Sequence, residues 1–225
     1  MRLTPTGYYS DFIVYPLLIA CLNVFGLIAA GADGLIGWFA VYLGCLVLWT
    51  LIEYGLQRFV FHHAPYLKTL HRQHHEEKKA HLGTPVWLSL LAHVTFVFLP
   101  VLVIWGQATA TAATAGIMLG YLWYVSVHHA LHHWRMEHAS YLYTLKRRHA
   151  LHHHGAETCN FGVTTDFWDR LFRTSAVTPL FSQGGLQRAP EIRALESARI
   201  SLDEQMREGR PSAKILPARG QHVPY

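Results

Sequence analysis

Four long apolar runs constrain the fold of this 225-residue chain more than any other feature of its sequence. The first two cover about residues 12–31 and 35–52, and the next two about residues 86–106 and 108–127. Each approaches the roughly 20 apolar residues with which a helix crosses a bilayer. Four such runs leave too little polar sequence to cover them in water. We therefore predict an all-α integral membrane protein whose four transmembrane helices form two hairpins.

The basic residues predict the orientation of these helices. Arg2 precedes the first run, five basic residues lie between Arg58 and Lys79, and thirteen follow from Arg135 onward. The links between runs 1 and 2 and between runs 3 and 4 carry none. Because cytoplasmic loops are enriched in Lys and Arg, both termini are expected in the cytoplasm. This pattern explains the net charge of +5 without a nucleic-acid partner.

The same reasoning divides the chain into two parts. Residues 1–180 are expected to form one membrane domain, with a cytosolic helical cap built from residues 53–85 and 128–180. Residues 181–225 are expected to form a partly disordered cytosolic tail. Three cysteines are too few for a disulfide framework. Small size and Arg/Ala richness favour a bacterial cytoplasmic membrane, and the endoplasmic reticulum would fit the same topology in a eukaryote.

Most of the seventeen histidines fall in four clusters, all of which lie on the predicted cytoplasmic side. The spacing His-x-x-His-His occurs twice. Residues three and four apart share a helix face, so we expect each copy to direct three imidazoles at one point. With the other two clusters, the candidate metal ligands are His62, His71, His74, His75, His128, His132, His149, His152 and His153.

Nine imidazoles exceed the capacity of one ion, so the pattern predicts a di-metal site in the cap. A storage site for zinc would favour cysteines, and a transporter would place its ligands at mid-membrane. Two irons beside a lipid-facing cavity suit oxidation of an unactivated C–H bond, whereas zinc has no redox chemistry. A nonspecific histidine-rich tract is the alternative. The choice within the doublets is open, because His63, His129, His133 and His154 each adjoin a chosen ligand.

Three other features have alternative interpretations. Glu53, at the end of the second run, is expected either to hydrogen-bond a histidine or to reach the interface as a simple acid. His93, inside the third run, is interpreted as a packing residue. Phe167, Trp168, Leu171 and Phe172 form an apolar stripe expected to pack on the cap or to lie at the membrane surface.

The histidine elements resemble those of the fatty acid hydroxylase / sterol desaturase superfamily of membrane di-iron enzymes. The similarity covers about residues 53–172 and is greatest to the fatty acid 2-hydroxylase branch, in the segments Arg58–His62, His128–His133, Asn160–Thr164 and Phe167–Asp169. The resemblance implies four transmembrane helices under a cytosolic cap, a di-iron centre, O2 as oxidant and a separate electron donor. One departure is Gln57, which stands where the family's first element opens with histidine.

The sequence thus predicts a membrane-bound, O2-dependent di-iron hydroxylase acting on an alkyl C–H bond of a fatty acyl or sterol-like lipid. Zinc is expected in iron's place only by substitution. Electrons would come from a ferredoxin-like protein or a haem protein with its reductase. Two alternatives remain at this stage: a lipid desaturase with the same metals, and a non-catalytic membrane metal-binding protein.

Overall fold

The computed structural model describes residues 2–77, 80–154 and 158–176, and every regular element within these ranges is helical. The all-α class is therefore confirmed, while the predicted tail at residues 181–225 lies outside the described residues. In chain order the elements are α1 (Pro5–Tyr9), α2 (Asp11–Gly55), a π-helical stretch (Leu56–Phe61), α3 (Pro65–Glu76), α4 (Val86–His93), a second π-helical stretch (Val94–Phe98), α5 (Leu99–His133), α6 (Tyr141–His154) and α7 (Phe167–Leu171).

The long helix α2 folds back on itself at Gly31. The rings of Tyr15 and Trp49 both pack on Tyr121, at centroid distances of 4.7 and 5.6 Å. In a straight helix Tyr15 and Trp49 would lie about 51 Å apart, at 1.5 Å per residue. The reversal takes place at Gly31, whose φ of 62° and ψ of 179° are non-helical and suit glycine. α2 is thus a hairpin of two antiparallel arms.

A second hairpin runs from α4 into α5 and reverses at Gly106, where φ is 82°. The rings of His93 and Tyr121 are 5.5 Å apart, although a straight helix would separate them by about 42 Å. Two continuous helical stretches, Pro5–Phe61 and Val86–His133, are long and apolar enough to cross a membrane. Each of them contains one of the two hairpins.

The buried core lies where the arms of the two hairpins meet. Its apolar members are Tyr15, Ile19, Trp49, Ile117, Met118 and Tyr121. Glycines allow the helices to approach one another closely. A Cβ at Gly116 would overlap the carbonyl of Tyr42, and one at Gly120 would overlap the side chain of Trp49.

The short helix α7 docks on the end of α2 through half of its apolar stripe. The indole of Trp168 donates a hydrogen bond to Thr50 Oγ1 at 2.9 Å, and the ring of Phe172 stacks on Tyr54 at 5.4 Å. Phe167 and Leu171 are exposed, and Phe172 remains 45% exposed despite its contact with Tyr54. The stripe therefore divides between packing and exposure.

Candidate metal centre

The nine histidines selected from the sequence lie together in two groups. In the five-imidazole group, the ligand nitrogens are all within 4.8 Å of one another and belong to His74, His128, His132, His149 and His153. The four-imidazole group meets the same limit and consists of His62, His71, His75 and His152. The structure thus brings together residues up to 91 positions apart in the sequence, from α3, α5, α6 and the residue after the first π-helical stretch.

The histidines of α3 divide between the two groups, which corrects our expectation that they meet at one point. His71 and His75 join the four-imidazole group, whereas His74 joins the five-imidazole group. The helix period explains the division. At about 100° per residue, the first and last histidines of His-x-x-His-His are about 40° apart, and the middle one points about 60° to the other side of the first.

The histidines of α6 divide in the opposite sense. His149 and His153 join the five-imidazole group and His152 joins the four-imidazole group. Each helix therefore supplies a pair to one group and a single imidazole to the other. The rings of His75 and His153, which belong to different groups, stack at a centroid distance of 4.1 Å. The two groups are neighbours, not separate sites.

Ring nitrogens within each group approach one another as the ligands of one ion do. Nε2 of His132 lies 2.9 Å from Nε2 of His149 and 3.2 Å from Nε2 of His128. In the other group, Nε2 of His62 lies 3.2 Å from Nε2 of His152. Two imidazole nitrogens that bind an ion at about 2.1 Å and at right angles are about 3.0 Å apart. The donor set therefore fits two metal ions.

Burial keeps these imidazoles in the neutral form that binds metals. Desolvation, followed by the charge of neighbouring histidines, lowers the pKa of His74 to about 3 and that of His71 to about 2. The same causes lower the pKa of His149 and His153 far below the usual value. Nε2 of His74 is buried and has no hydrogen-bond partner among the described residues. A neutral imidazole leaves such a nitrogen available as a ligand.

A backbone carbonyl orients one of the ligands. Nδ1 of His152 lies 2.8 Å from the carbonyl oxygen of Cys159. Because a carbonyl only accepts, Nδ1 carries the proton and Nε2 presents its lone pair to the four-imidazole group. Hydrogen bonds of this kind fix the tautomer and ring orientation of metal-binding histidines.

Glu53 holds the loop that follows Cys159, and neither role expected from the sequence is seen. Its side chain is 2% exposed. One carboxylate oxygen accepts hydrogen bonds from the N–H groups of Val163 and Thr164 at 2.6 and 2.8 Å, and the other accepts from Thr164 Oγ1 at 2.7 Å. The carboxylate therefore accepts from a backbone donor 110 residues away in the sequence. The spacing of residues along α2 could not have predicted this contact.

Asp169 plays a matching part that the sequence reasoning missed. Its two oxygens accept from the N–H groups of Phe161 and Gly162, both at 2.9 Å. Asp169 is fully buried, and Nη2 of Arg148 lies 3.7 Å from its carboxylate. A lone acid inside the apolar stripe of α7 was the available signal. Glu53 and Asp169 together fix the loop whose carbonyl orients His152.

Gln57 is buried beside the histidines. Its side chain is 2% exposed, and its Oε1 has no hydrogen-bond partner among the described residues. It contacts Tyr124, whose ring stacks on His128 at 5.6 Å. Gln57 lies five residues before His62, within the π-helical stretch, and lines the same cavity as His71 and His74.

The other histidines whose side chains the structure describes lie outside both groups. His129 and His133 stack on each other at 4.4 Å, and His129 contacts the hydroxyl of Tyr8 at 3.0 Å. His63 is exposed, and the side chain of His154 lies outside the described residues. His93 is held among the rings of the helical core.

An apolar cavity of about 600 Å³ lies between the helical arms and the histidines. His71, His74 and His128 stand on its wall, so the cavity reaches both groups. Most of the other lining residues are apolar, including Phe12 and Val97. The space suits an alkyl chain with one carbon at the imidazole end.

Comparison with known proteins supports the resemblance seen in the sequence. The family profile described as fatty acid hydroxylase matches residues 42–174. Fatty acid 2-hydroxylase of Rattus norvegicus is 35% identical over 60% of this chain and 40% of that protein. Ceramide very long chain fatty acid hydroxylase scs7 of Schizosaccharomyces pombe is 32% identical over 62% of this chain and 43% of that protein. The chain thus spans about 40% of the length of these curated relatives.

A solved structure shows the same arrangement of helices. Full-length scs7p, of which only the hydroxylase domain is visible, is 27% identical to this chain, with a TM-score of 0.66 over 78% of this chain and 70% of that one. The profile covers more than half of the chain and includes all nine grouped histidines. The similarity to the fatty acid 2-hydroxylase branch is confirmed, and the chain belongs to the fatty acid hydroxylase family.

Proposed function

We propose that this protein is a membrane-bound lipid hydroxylase that uses two irons and O2 to insert oxygen into an alkyl C–H bond of a fatty acyl or sterol-like lipid. One observation carries the proposal: two adjacent groups of neutral imidazoles stand at the wall of an apolar cavity. The names of its relatives, fatty acid 2-hydroxylase and dihydroceramide fatty acyl 2-hydroxylase, support the reaction type.

The outward faces of the helical hairpins support a membrane location with four spans. Large apolar side chains point away from the core, with Ile36, Phe96 and Val103 87%, 78% and 84% exposed. Apolar faces of this extent are stable in lipid and unfavourable in water. The distribution of basic residues then orients the cap and both termini toward the cytoplasm. The membrane would be the cytoplasmic membrane of a bacterium or, in a eukaryotic cell, that of the endoplasmic reticulum.

Iron is the metal that this chemistry requires. Imidazole binds Fe, Zn, Cu and Ni alike, so the donor set alone does not select among them. Iron bound by the two groups would supply the redox chemistry that activates O2, which zinc lacks. The five-imidazole group would hold one ion, and the four-imidazole group the other, with Gln57 as a candidate additional ligand.

The chain's own contribution is to position the lipid and to exclude water. Hydroxylation converts R–H, O2, two electrons and two protons into R–OH and water. The electrons would come from a separate donor, a ferredoxin-like or haem protein with its reductase. The apolar cavity walls would orient the alkyl chain so that one carbon lies beside His71, His74 and His128.

Lipid analysis tests this function. The full chain is expressed in iron-supplied cells together with a reductase system. The lipids of these cells are then compared by mass spectrometry with those of cells that express His132→Ala. We expect an acyl or sterol-like lipid one oxygen atom heavier with the wild type alone. A product two hydrogens lighter would indicate desaturation instead. Iron-loaded protein that changes no lipid class would contradict the proposal.

A further inference from the structure

Two unpaired polar atoms lie in the wall of the apolar cavity, away from the metal-binding groups. They belong to Asp11, at the start of α2, and His93, at the end of α4, which come from different hairpins. Both side chains line the cavity, and they are only 7% and 6% exposed. From the sequence alone, His93 is interpreted as a packing residue.

The hydrogen bonds of Asp11 leave one carboxylate oxygen unused. Tyr121 donates its hydroxyl proton to Asp11 Oδ2 at 2.8 Å. Oδ1 is buried and has no hydrogen-bond partner among the described residues. Oδ1 of an ionised carboxylate is an acceptor. Asp11 therefore presents an acceptor that the protein itself does not satisfy.

His93 presents a second acceptor. Its Nδ1 lies 2.7 Å from the backbone carbonyl of Ser89. Because that carbonyl only accepts, Nδ1 carries the proton and Nε2 of the neutral ring has a free lone pair. Nε2 is also buried without a partner among the described residues. Packing alone accounts for the ring of His93 but leaves Nε2 unexplained, because buried polar groups are normally hydrogen-bonded.

We infer that Asp11 and His93 form a polar subsite that binds a hydrogen-bond donor of the lipid, a hydroxyl or an amide N–H. The inference rests on the proposed lipid hydroxylase function and adds a basis for substrate selection. Two acceptors favour a donor-bearing lipid. They disfavour the carboxylate of a free fatty acid, which when ionised only accepts hydrogen bonds.

The position of the subsite relates the bound group to the reacting carbon. Tyr121, which holds Asp11, precedes His128 by seven residues on α5, about 10 Å along the helix. The donor group would thus lie about two helical turns from the imidazoles. A lipid anchored in this way presents a defined carbon to the metal centre, so the subsite would determine the position of oxidation as well as the lipid class.

Binding of three lipids with one common acyl chain tests the subsite. They are the N-acyl ethanolamide, which has two donors, the methyl ester, which has none, and the free acid. Affinities are measured by displacement of a fluorescent lipid from the metal-free full chain in nanodiscs. We expect the wild type to bind the ethanolamide about ten-fold more tightly than the ester, as for a hydrogen bond to a charged acceptor.

Two variants give opposite signatures. Asp11→Asn keeps an oxygen for Tyr121 and turns its NH2 to the cavity, so the free acid gains affinity and the ethanolamide loses about ten-fold. His93→Phe removes the second acceptor but keeps a ring, so the ester gains relative to the ethanolamide. Asp33→Asn is the matched control, since Asp33 is exposed and does not line the cavity. It should leave all three affinities unchanged.

Unchanged affinity ratios in folded Asp11→Asn or His93→Phe protein would overturn the subsite. Thermal unfolding identifies any variant that fails to fold, and His93→Phe decides the matter if Asp11→Asn is unstable. Because binding is measured without turnover, the two proposals fail separately. If the variants change lipid selectivity as expected but the wild type oxidises no lipid, the subsite is supported and the hydroxylase function is contradicted. If the wild type oxidises lipid but the variants leave the selectivity unaltered, the hydroxylase function is supported and the subsite is contradicted.

Discussion

The two imidazole groups differ in how they are built. The five-imidazole group draws its ligands from the three helices α3, α5 and α6. The four-imidazole group has none from α5 and relies on His62, which follows the first π-helical stretch. That stretch also carries Gln57, where the family has histidine. Because this stretch leads directly into His62, we expect the departure at Gln57 to affect the smaller group more than the larger one.

This contrast predicts unequal metal affinities. An ion in the five-imidazole group would have a full set of nitrogen ligands held by three helices. An ion in the four-imidazole group would have four, one of which is oriented by the carbonyl of Cys159. We therefore expect the smaller group to lose its metal first on treatment with a chelator. The following experiments test this inequality.

The largest effect is expected from His132→Ala, in the five-imidazole group. Nε2 of His132 contacts the ligand nitrogens of both His128 and His149, so the substitution removes a central ligand. Loss of groups that merely orient metal ligands lowers affinity or activity about 10–100-fold. We expect a loss beyond about 100-fold in lipid oxidation, measured as product per iron. His133→Ala, next in sequence but outside both groups, should retain activity, and equal losses in the two variants would contradict this assignment.

His62→Ala should empty the smaller group selectively. His62 is the one ligand of the four-imidazole group that does not lie on α3, α5 or α6, so its substitution leaves these three helices unchanged. We expect iron content, measured by mass spectrometry of the purified protein, to fall from about two to about one per chain. His63→Ala serves as the control because His63 is exposed. Loss of both metals from His62→Ala would show that the two groups bind their ions as one unit.

Gln57→His should reduce the difference in metal affinity between the two groups. The position is buried and lines the same cavity as His71, so we expect an imidazole there to add a fifth nitrogen to the smaller group. We expect the more weakly held iron to resist a chelator about ten-fold better, a gain on the scale of ligand-sphere changes. Gln57→Leu keeps the volume without a donor atom. A more labile second iron in Gln57→His would instead indicate that the amide oxygen of Gln57 is the better ligand.

Glu53→Leu should produce the smallest effect, acting through the loop at residues 160–165. The substitution keeps the volume but removes both oxygens, so the N–H groups of Val163 and Thr164 lose their acceptor. An unsatisfied buried hydrogen bond costs about 1–3 kcal/mol, so chemical denaturation should show a loss of this order. Iron should become more labile in the smaller group, where His152 depends on this loop. Glu137→Gln, at an exposed site, should change neither quantity, and stability equal to wild type would exclude the role of Glu53 described above.

Much of this arrangement was predictable from local sequence. Apolar run length predicted long helices able to cross a membrane, and the described residues include two such helical stretches, because a helix that lacks polar residues for about 20 positions has few alternative environments. The reversals at Gly31 and Gly106 were found only in the structure. The spacing of the histidines selected all nine grouped residues. The choice of His128 and His132 over His129 and His133 was open until the structure oriented α5.

The sequence by itself determined which side chains are available: neutral metal ligands at helical spacing, beside apolar segments too long for a soluble fold. Only the tertiary structure decided which imidazoles share a group, because the division of each His-x-x-His-His element depends on the rotation of α3 and α6 about their axes. It also decided the partners of Glu53 and Asp11, each 110 residues distant. Local periodicity carries no information about such contacts, since they depend on how whole helices pack together.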